Sequence, residues 1–343
     1  MEKQKKEGGR FWGHFFILVL LFAIPILILN GAAWLKRFLI YMSHATWGRQ
    51  IASTLPLAQK VARRFVAGET IDEAMAAALA INKRRMSVTL DYLGESVSEA
   101  EEARMARDEI LNLLDKIDSL KLDANVSVKL TQLGLRIDPA LALENMELIM
   151  ERAASYNNRI RIDMEESDLV DRTLHLYRTL RDEKNYDNAG VVIQSYLYRS
   201  EKDVQQLISE GAWIRRCKGA YAEPPEAAFP DKSDTDASYL NLTKEMLSPE
   251  ARANGVYLGI ATHDERMING SLKYIQEQGI QPNEFEFQML YGIRRDIQDN
   301  LSRRGYQVRI YVPYGAAWYP YLVRRLAERP ANLWFFVSNL FKS

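Results

Sequence analysis

Arg159-Ile-Arg-Ile-Asp163-Met164 is followed by an amphipathic stretch over 167–185 and then by Gly190-Val-Val-Ile-Gln194-Ser195. Two short apolar runs with a helix between them form a strand–helix–strand unit, the connection that joins parallel strands. The pattern repeats in both directions. Upstream lie apolar runs over 87–92 and 126–130; downstream lie runs over 213–218, 257–262, 285–290 and 308–312. The stretches between them, 99–122, 139–155, 200–211, 239–254, 265–278 and 291–304, carry apolar residues at helical spacing. This alternation predicts an α/β protein, a (β/α)8 barrel of TIM type. A ninth run, Leu333-Trp-Phe-Phe-Val337, reads as a tail packed outside, though it could compete for a strand position.

In such a barrel the active site lies at the C-terminal ends of the strands. Here the apolar runs end in Lys129, Asp163, Gln194, Arg215 with Lys218, Thr262-His263-Asp264, Gln288 and Tyr311. A buried polar group without a partner is costly, so these residues must face one another or a polar ligand. Gly219-Ala220 after Lys218 leaves backbone room of the kind a phosphate needs. His263 reads as a base or a cofactor contact, Cys217 as core, and His175 as a surface residue on a helix.

The last charged stretch is Tyr311-Val-Pro-Tyr-Gly315, then Tyr321-Leu-Val-Arg324-Arg325-Leu-Ala-Glu328. Two adjacent arginines on a helix suit the grip of a small carboxylate, because guanidinium forks match carboxylate oxygens. A solvated helix face is the plainer reading of the same residues.

Composition narrows the field. The chain has 343 residues, 26% of them charged, and a net charge of zero, so no basic surplus points to nucleic acid. A single cysteine excludes an intramolecular disulfide and fits a reducing compartment. No Cys/His spacing suits a metal, and no dinucleotide fingerprint, P-loop or G-x-S-x-G elbow is present. Three readings stay open on these grounds: a flavin oxidoreductase, a lyase with Lys129 or Lys218 as Schiff base, and a non-catalytic membrane-tethered binding barrel.

The N-terminal part divides from the barrel. Residues 1–34 form an apolar extension, 35–86 N-terminal helices, and 87–343 the barrel. Phe15 to Leu29 is uninterrupted and apolar; extension to Phe11 and Trp34 reaches the roughly 20 residues of a bilayer span. Trp12 and Trp34 suit the interfaces. The stretch reads as a membrane anchor, a signal-like segment, or an extension before an alternative start at Met42. Basic residues flank both ends, so charge gives no orientation; a cytoplasmic body is the simpler reading. Closer to the barrel, Thr70 and Glu73 form a capping box ahead of a helix over 71–81.

Several motifs in order resemble proline dehydrogenase in its short monofunctional bacterial form. They are Arg64-Phe-Val-Ala-Gly-Glu69-Thr, Asp91-Tyr-Leu-Gly-Glu95, Ser127-Val-Lys129-Leu-Thr-Gln-Leu-Gly134, Ile162-Asp163-Met-Glu165, Gln194-Ser-Tyr196, Arg215 through Lys218-Gly-Ala-Tyr221, Ala261-Thr-His-Asp264, Glu286-Phe-Gln-Met-Leu290-Tyr-Gly292 and the closing tyrosine and arginine stretch. The resemblance runs from about Leu35 to the C-terminus and implies a barrel holding FAD. It implies oxidation of L-proline to Δ1-pyrroline-5-carboxylate, with a membrane quinone as electron acceptor and pyrroline-5-carboxylate dehydrogenase as functional partner. Arg324, Arg325 and Lys129 match substrate-carboxylate ligands. Tyr311, Tyr321 and Leu290 match the ring pocket, and Glu328 would orient the arginines. Asp163 and Arg215 match catalytic positions. Met164, Gln194, Arg215, Lys218, Gly219, Ala220, Thr262 and His263 match FAD contacts.

Two departures stand out. Arg216 and Cys217 replace residues that are usually apolar, and the segment before Leu35 has no counterpart. Hydroxyproline oxidation is the alternative within the class, and Tyr311 speaks against it, because the resemblance sets its ring against the carbon that would carry the hydroxyl.

Overall fold

A computed structural model of the chain describes residues 62–94 and 97–328, with side chains through Val323. The chain falls into two compact units, Arg63–Ala316 and Met1–Ala62 with Ala317–Ser343. The first holds the barrel. Its strands are β1 (Ser87–Tyr92), β2 (Ala124–Val128), β3 (Ile160–Ile162), β4 (Ala189–Gln194), β5 (Trp213–Cys217), β6 (Tyr257–Ala261), β7 (Phe285–Leu290) and β8 (Val308–Tyr314). Each pairs in parallel with the next, and β8 closes on β1, as the strand–helix alternation predicts.

Helices fill the connections: α1 (Ile71–Asn82) before β1, then α2 (Ala100–Ser119), α3 (Pro139–Ser155), α4 (Val170–Arg178), α5 (Ser200–Ser209), α6 (Lys232–Met246), α7 (Pro249–Ala253), α8 (Glu265–Glu277) and α9 (Arg295–Arg303). The second unit contributes α10 (Trp318–Glu328), which carries Tyr321, Arg324, Arg325 and Glu328.

The outward faces of the strands build the main core. Val88, Leu90, Val126 and Val128 belong to one buried cluster with Ile110, Leu113 and Leu114 of α2 and with Met146 and Ile149 of α3. Each such side chain contributes about 1.5–3 kcal/mol by leaving water. Helix starts follow their local chemistry. Thr70 and Glu73 close the expected capping box. Asp138 caps α3 ahead of Pro139, whose missing N–H costs nothing at the first helical position.

Some boundaries differ from expectation. β3 is only Ile160–Ile162, so Asp163 and Met164 lie just beyond it, in the loop at the barrel mouth. The helix expected over 239–254 starts at Lys232, because its first turns are polar and hide the periodicity. It breaks at Ser248-Pro249, where proline cannot continue a helix and Ser248 caps α7 instead. Arg294 is left-handed with φ 49, which delays α9 to Arg295.

The inward faces are unusually polar. Arg161 is fully buried, donates Nη1 to the carbonyls of Val191 and Trp213, and stacks on the Trp213 ring at 3.5 Å. Burial pushes its pKa well below the usual arginine value. Arg309 meets Glu286 at 2.9 Å nearby in the interior.

Phe11–Trp34, the start at Met42 and the tail over 333–337 lie outside the described residues. Among the described residues no helix is long and apolar enough to cross a membrane.

Candidate active site

Strand register brings together residues far apart in sequence. Asp163, one residue beyond β3, is the node. Arg215 Nη1 and Ser127 Oγ both donate to its Oδ1 at 2.7 Å, and Tyr311 Oη donates to its Oδ2 at 2.8 Å. Ser127 Oγ also accepts from Arg215 Nη1 at 3.1 Å. Arg215 lies on β5 and Ser127 on β2, so both side chains point into the barrel. Burial, and then the negative Asp163 and Asp91, keep the Tyr311 pKa well above its ordinary value. Its hydroxyl therefore stays protonated and donates.

Arg215 is held from the other side by Gln288, whose Oε1 accepts from Nε at 2.5 Å. Gln288 Nε2 donates to Glu286 Oε1, also at 2.5 Å, which fixes the amide orientation. Between Arg215 and Glu286 in the sheet register sits Gly259. A Cβ there would lie 2.5 Å from Gln288 Nε2, so the glycine makes room for the amide. One buried donor is left over: Arg215 Nη2 has no hydrogen-bond partner among the described residues.

Lys129, just past β2, pairs with Asp91 at the end of β1, Nζ to Oδ1 at 2.8 Å. On the opposite part of the rim, Lys218 contacts Asp236 and sits 2.8 Å from Asp264. Lys232 and Arg266 join the same two carboxylates. Three cations around two carboxylates leave a positive surplus. Asp264 also caps α8 through the Arg266 N–H. Partial burial opposes its ionisation, but the Lys218 ammonium and the cap hydrogen bond outweigh this and hold it well below the carboxylate range.

Among the remaining expected residues, Gln194 Nε2 donates to the Glu165 carbonyl at 2.7 Å. Met164 and Thr262 are buried. His263 Nε2 accepts from the Leu290 N–H at 2.8 Å, which leaves the ring proton on Nδ1. Gly219 has φ +118, and a Cβ there would meet the Tyr196 ring at 2.3 Å. Its lack of a side chain thus answers to Tyr196 packing and a left-handed backbone. Ala220 beside it is exposed.

Cys217 packs against the core, and burial pushes its thiol up to about 11, which leaves it unreactive. His175 is exposed on α4, as expected. Among the described residues no His/Cys/Asp/Glu group could hold a metal ion.

Sequence reading missed the roles of Asp91, Ser127, Gly259, Asp236 and Glu223. Glu223 accepts from the Ser167 N–H at 2.8 Å and from the Tyr196 hydroxyl at 3.5 Å, tying together the loops after β3, β4 and β5. The quoted motifs contained the first two; only cross-strand register reveals what they touch.

The family model for proline dehydrogenase matches residues 74–337, which spans the whole barrel. The chain belongs to the proline dehydrogenase family. It is 39% identical over 296 residues to proline dehydrogenase 2 of Bacillus subtilis (strain 168), covering 86% of this chain and 92% of that protein. It is 40% identical over 285 residues to a proline dehydrogenase of Deinococcus radiodurans, covering 82% and 90%. Among solved structures, proline utilization A from Bdellovibrio bacteriovorus, inactivated by N-propargylglycine, is similar with a TM-score of 0.74 and 27% identity. That match covers 79% of this chain and 33% of the larger protein. The family barrel thus agrees in extent with the strands and helices described above.

Proposed function

We propose that this chain oxidises L-proline to Δ1-pyrroline-5-carboxylate with FAD as its cofactor and passes the electrons to a quinone. The observation that carries the reading is the Asp163–Arg215–Tyr311 constellation, with one Arg215 nitrogen lacking an acceptor among the described residues, at the mouth of a proline dehydrogenase family barrel.

The residues fit the cofactor. An orphaned guanidinium N–H is a donor waiting for a ligand acceptor. The cationic surplus of Lys218, Lys232 and Arg266 matches the diphosphate of a dinucleotide. Gln194, Lys218, Gly219, Ala220, Thr262, His263, Met164 and Arg215 are the residues that would hold it. When bound, FAD supplies the acceptor for the hydride leaving C5 of the proline ring.

The protein's own part is orientation. Arg324 and Arg325 bind the substrate carboxylate, Lys129 assists, and Glu328 orients the arginine pair. Tyr311, Tyr321 and Leu290 shape the ring pocket. Holding the ring by its carboxylate fixes the reacting carbon and removes the entropic cost of finding it. The Arg215 cation stabilises negative charge that develops on reduction. Asp163 keeps Arg215 and Tyr311 in place through its two oxygens. The product is an imine carboxylate, the substrate class of pyrroline-5-carboxylate dehydrogenase. The body works on the cytoplasmic side, tethered through Phe11–Trp34 where that stretch serves as an anchor.

Incubation of the purified full chain with FAD, L-proline and a soluble quinone analogue, with chemical trapping of the imine, tests the reading. Proline-dependent imine with stoichiometric quinone reduction supports it. FAD-loaded protein that forms no imine overturns it.

A further inference from the structure

The Asp91 carboxylate takes no part in holding substrate or cofactor, yet it is among the most deeply placed charges of the barrel. It is 1% exposed at the end of β1, and its Oδ1 accepts from Lys129 Nζ at 2.8 Å. Its Oδ2 is buried and has no hydrogen-bond partner among the described residues. The register pairs Asp91 with Ser127, and strand alternation puts Lys129, two residues on, on the same inner side. Lys129 is itself only 8% exposed. The groups facing Asp91 are Lys129 beyond β2, Asp163 beyond β3 and Tyr311 of β8. Burial raises its pKa, Lys129 opposes this, and Asp163 adds to it. The Lys129 ammonium is thus the cation that opposes this rise.

The dependence is mutual. A buried ammonium is driven toward its neutral form by desolvation, and an adjacent carboxylate counters that drive. A neutral amine gives a substrate carboxylate no charge to bind.

We propose that Asp91 is a positioning residue for Lys129: it anchors the ammonium at the barrel mouth and keeps it protonated for the carboxylate of the amino-acid substrate. This rests on the functional reading above, in which Lys129 meets that carboxylate. Asp91 acts through Lys129 and touches neither substrate nor cofactor.

The test uses FAD-loaded full-length protein and cyclopentanecarboxylate, a ring carboxylate with no amine to oxidise. Its dissociation constant is read from perturbation of the flavin spectrum. In the wild type, affinity is flat between about pH 6 and pH 9. Asp91→Asn weakens binding about tenfold near pH 9 and recovers to within about threefold near pH 6, because the lysine regains its proton. In a Lys129→Met background, adding Asp91→Asn changes the affinity by less than about twofold, since the effect runs through the ammonium.

Asp91→Asn binding as tightly as wild type near pH 9, or more tightly, overturns the proposal. So does an equal loss at both pH values, the mark of a merely structural role. Should the single variant fail to retain FAD, the double variant decides, because it buries a neutral pair. Binding equal to that of Lys129→Met supports the proposal, and a further loss overturns it. A wild-type holoenzyme that neither binds the carboxylate nor is bleached by L-proline overturns the functional reading itself, and the proposal with it.

Discussion

Tyr311 Oη donates a 2.8 Å hydrogen bond to Asp163 Oδ2, while the Arg215 guanidinium lies 5.0 Å from the centre of the same tyrosine ring. The ring is therefore fixed at both its hydroxyl and its face. Tyr311→Phe keeps the ring and loses the hydrogen bond. We expect kcat/KM for L-proline to fall about tenfold, the effect of one charge-assisted bond, with 4-hydroxyproline still rejected. Tyr311→Ser removes the ring and should narrow the gap between the two imino acids. Steady-state kinetics with both substrates check this; a phenylalanine variant that accepts hydroxyproline would assign the discrimination to the hydroxyl instead.

Gly259→Ala tests the support behind Arg215. The new methyl would press on a Gln288 amide already bonded to Arg215 and Glu286. Overpacking of this kind costs about 1–3 kcal/mol, and the displaced amide should release Arg215. The expected result is a lower urea midpoint together with a loss of proline turnover. An alanine variant with unchanged turnover would show that Arg215 does not depend on Gln288.

Much of this was legible in the chain, and the illegible part has a physical cause. The eight strands show because each is a short apolar run closed by a polar residue, and those polar ends are the mouth of the barrel. What Asp91 or Ser127 touches is not local information. Arg215 reaches Ser127 across 88 positions, and Tyr311 reaches Asp163 across 148. Gly259 carries no side chain to notice, and its meaning appears only when Gln288 lies beside it. Arg216 read as a difficulty for strand packing. It points away from the barrel interior instead, fully buried on the Tyr239 ring of α6 at 3.4 Å.

Arg216 also supplies a stability prediction. Its three guanidinium nitrogens have no hydrogen-bond acceptor among the described residues, and burial pushes its pKa down to about 10, so it remains charged at neutral pH. A buried charge with no counter-ion is costly, and the contact with Tyr239 recovers only part of that. Arg216→Leu should raise stability by about 1–3 kcal/mol, seen as a higher urea midpoint with FAD binding retained. A lower midpoint would show that stacking on Tyr239 outweighs the desolvation.

Acid sensitivity should centre on the Lys218 cluster. Asp264 and Asp236 are partly buried, which opposes ionisation, yet lysine contacts hold both below the usual carboxylate pKa. The unfolded chain therefore binds protons that the folded one does not. The stabilisation is complete above about pH 5 and is lost as pH falls toward the folded values. Asp264→Asn keeps a cap acceptor for the Arg266 N–H; it should flatten that acid limb and, by losing the ion pairs, lower stability at neutral pH by about 1–3 kcal/mol. Urea midpoints measured against pH test both; an unchanged acid limb would place the sensitivity elsewhere.

The most direct test of the account is an anaerobic titration of the FAD-loaded full-length protein with L-proline. The account predicts that the yellow flavin band bleaches in proportion to the proline added and that an equivalent of imine forms. A holoprotein that binds FAD and stays oxidised with excess L-proline would contradict it.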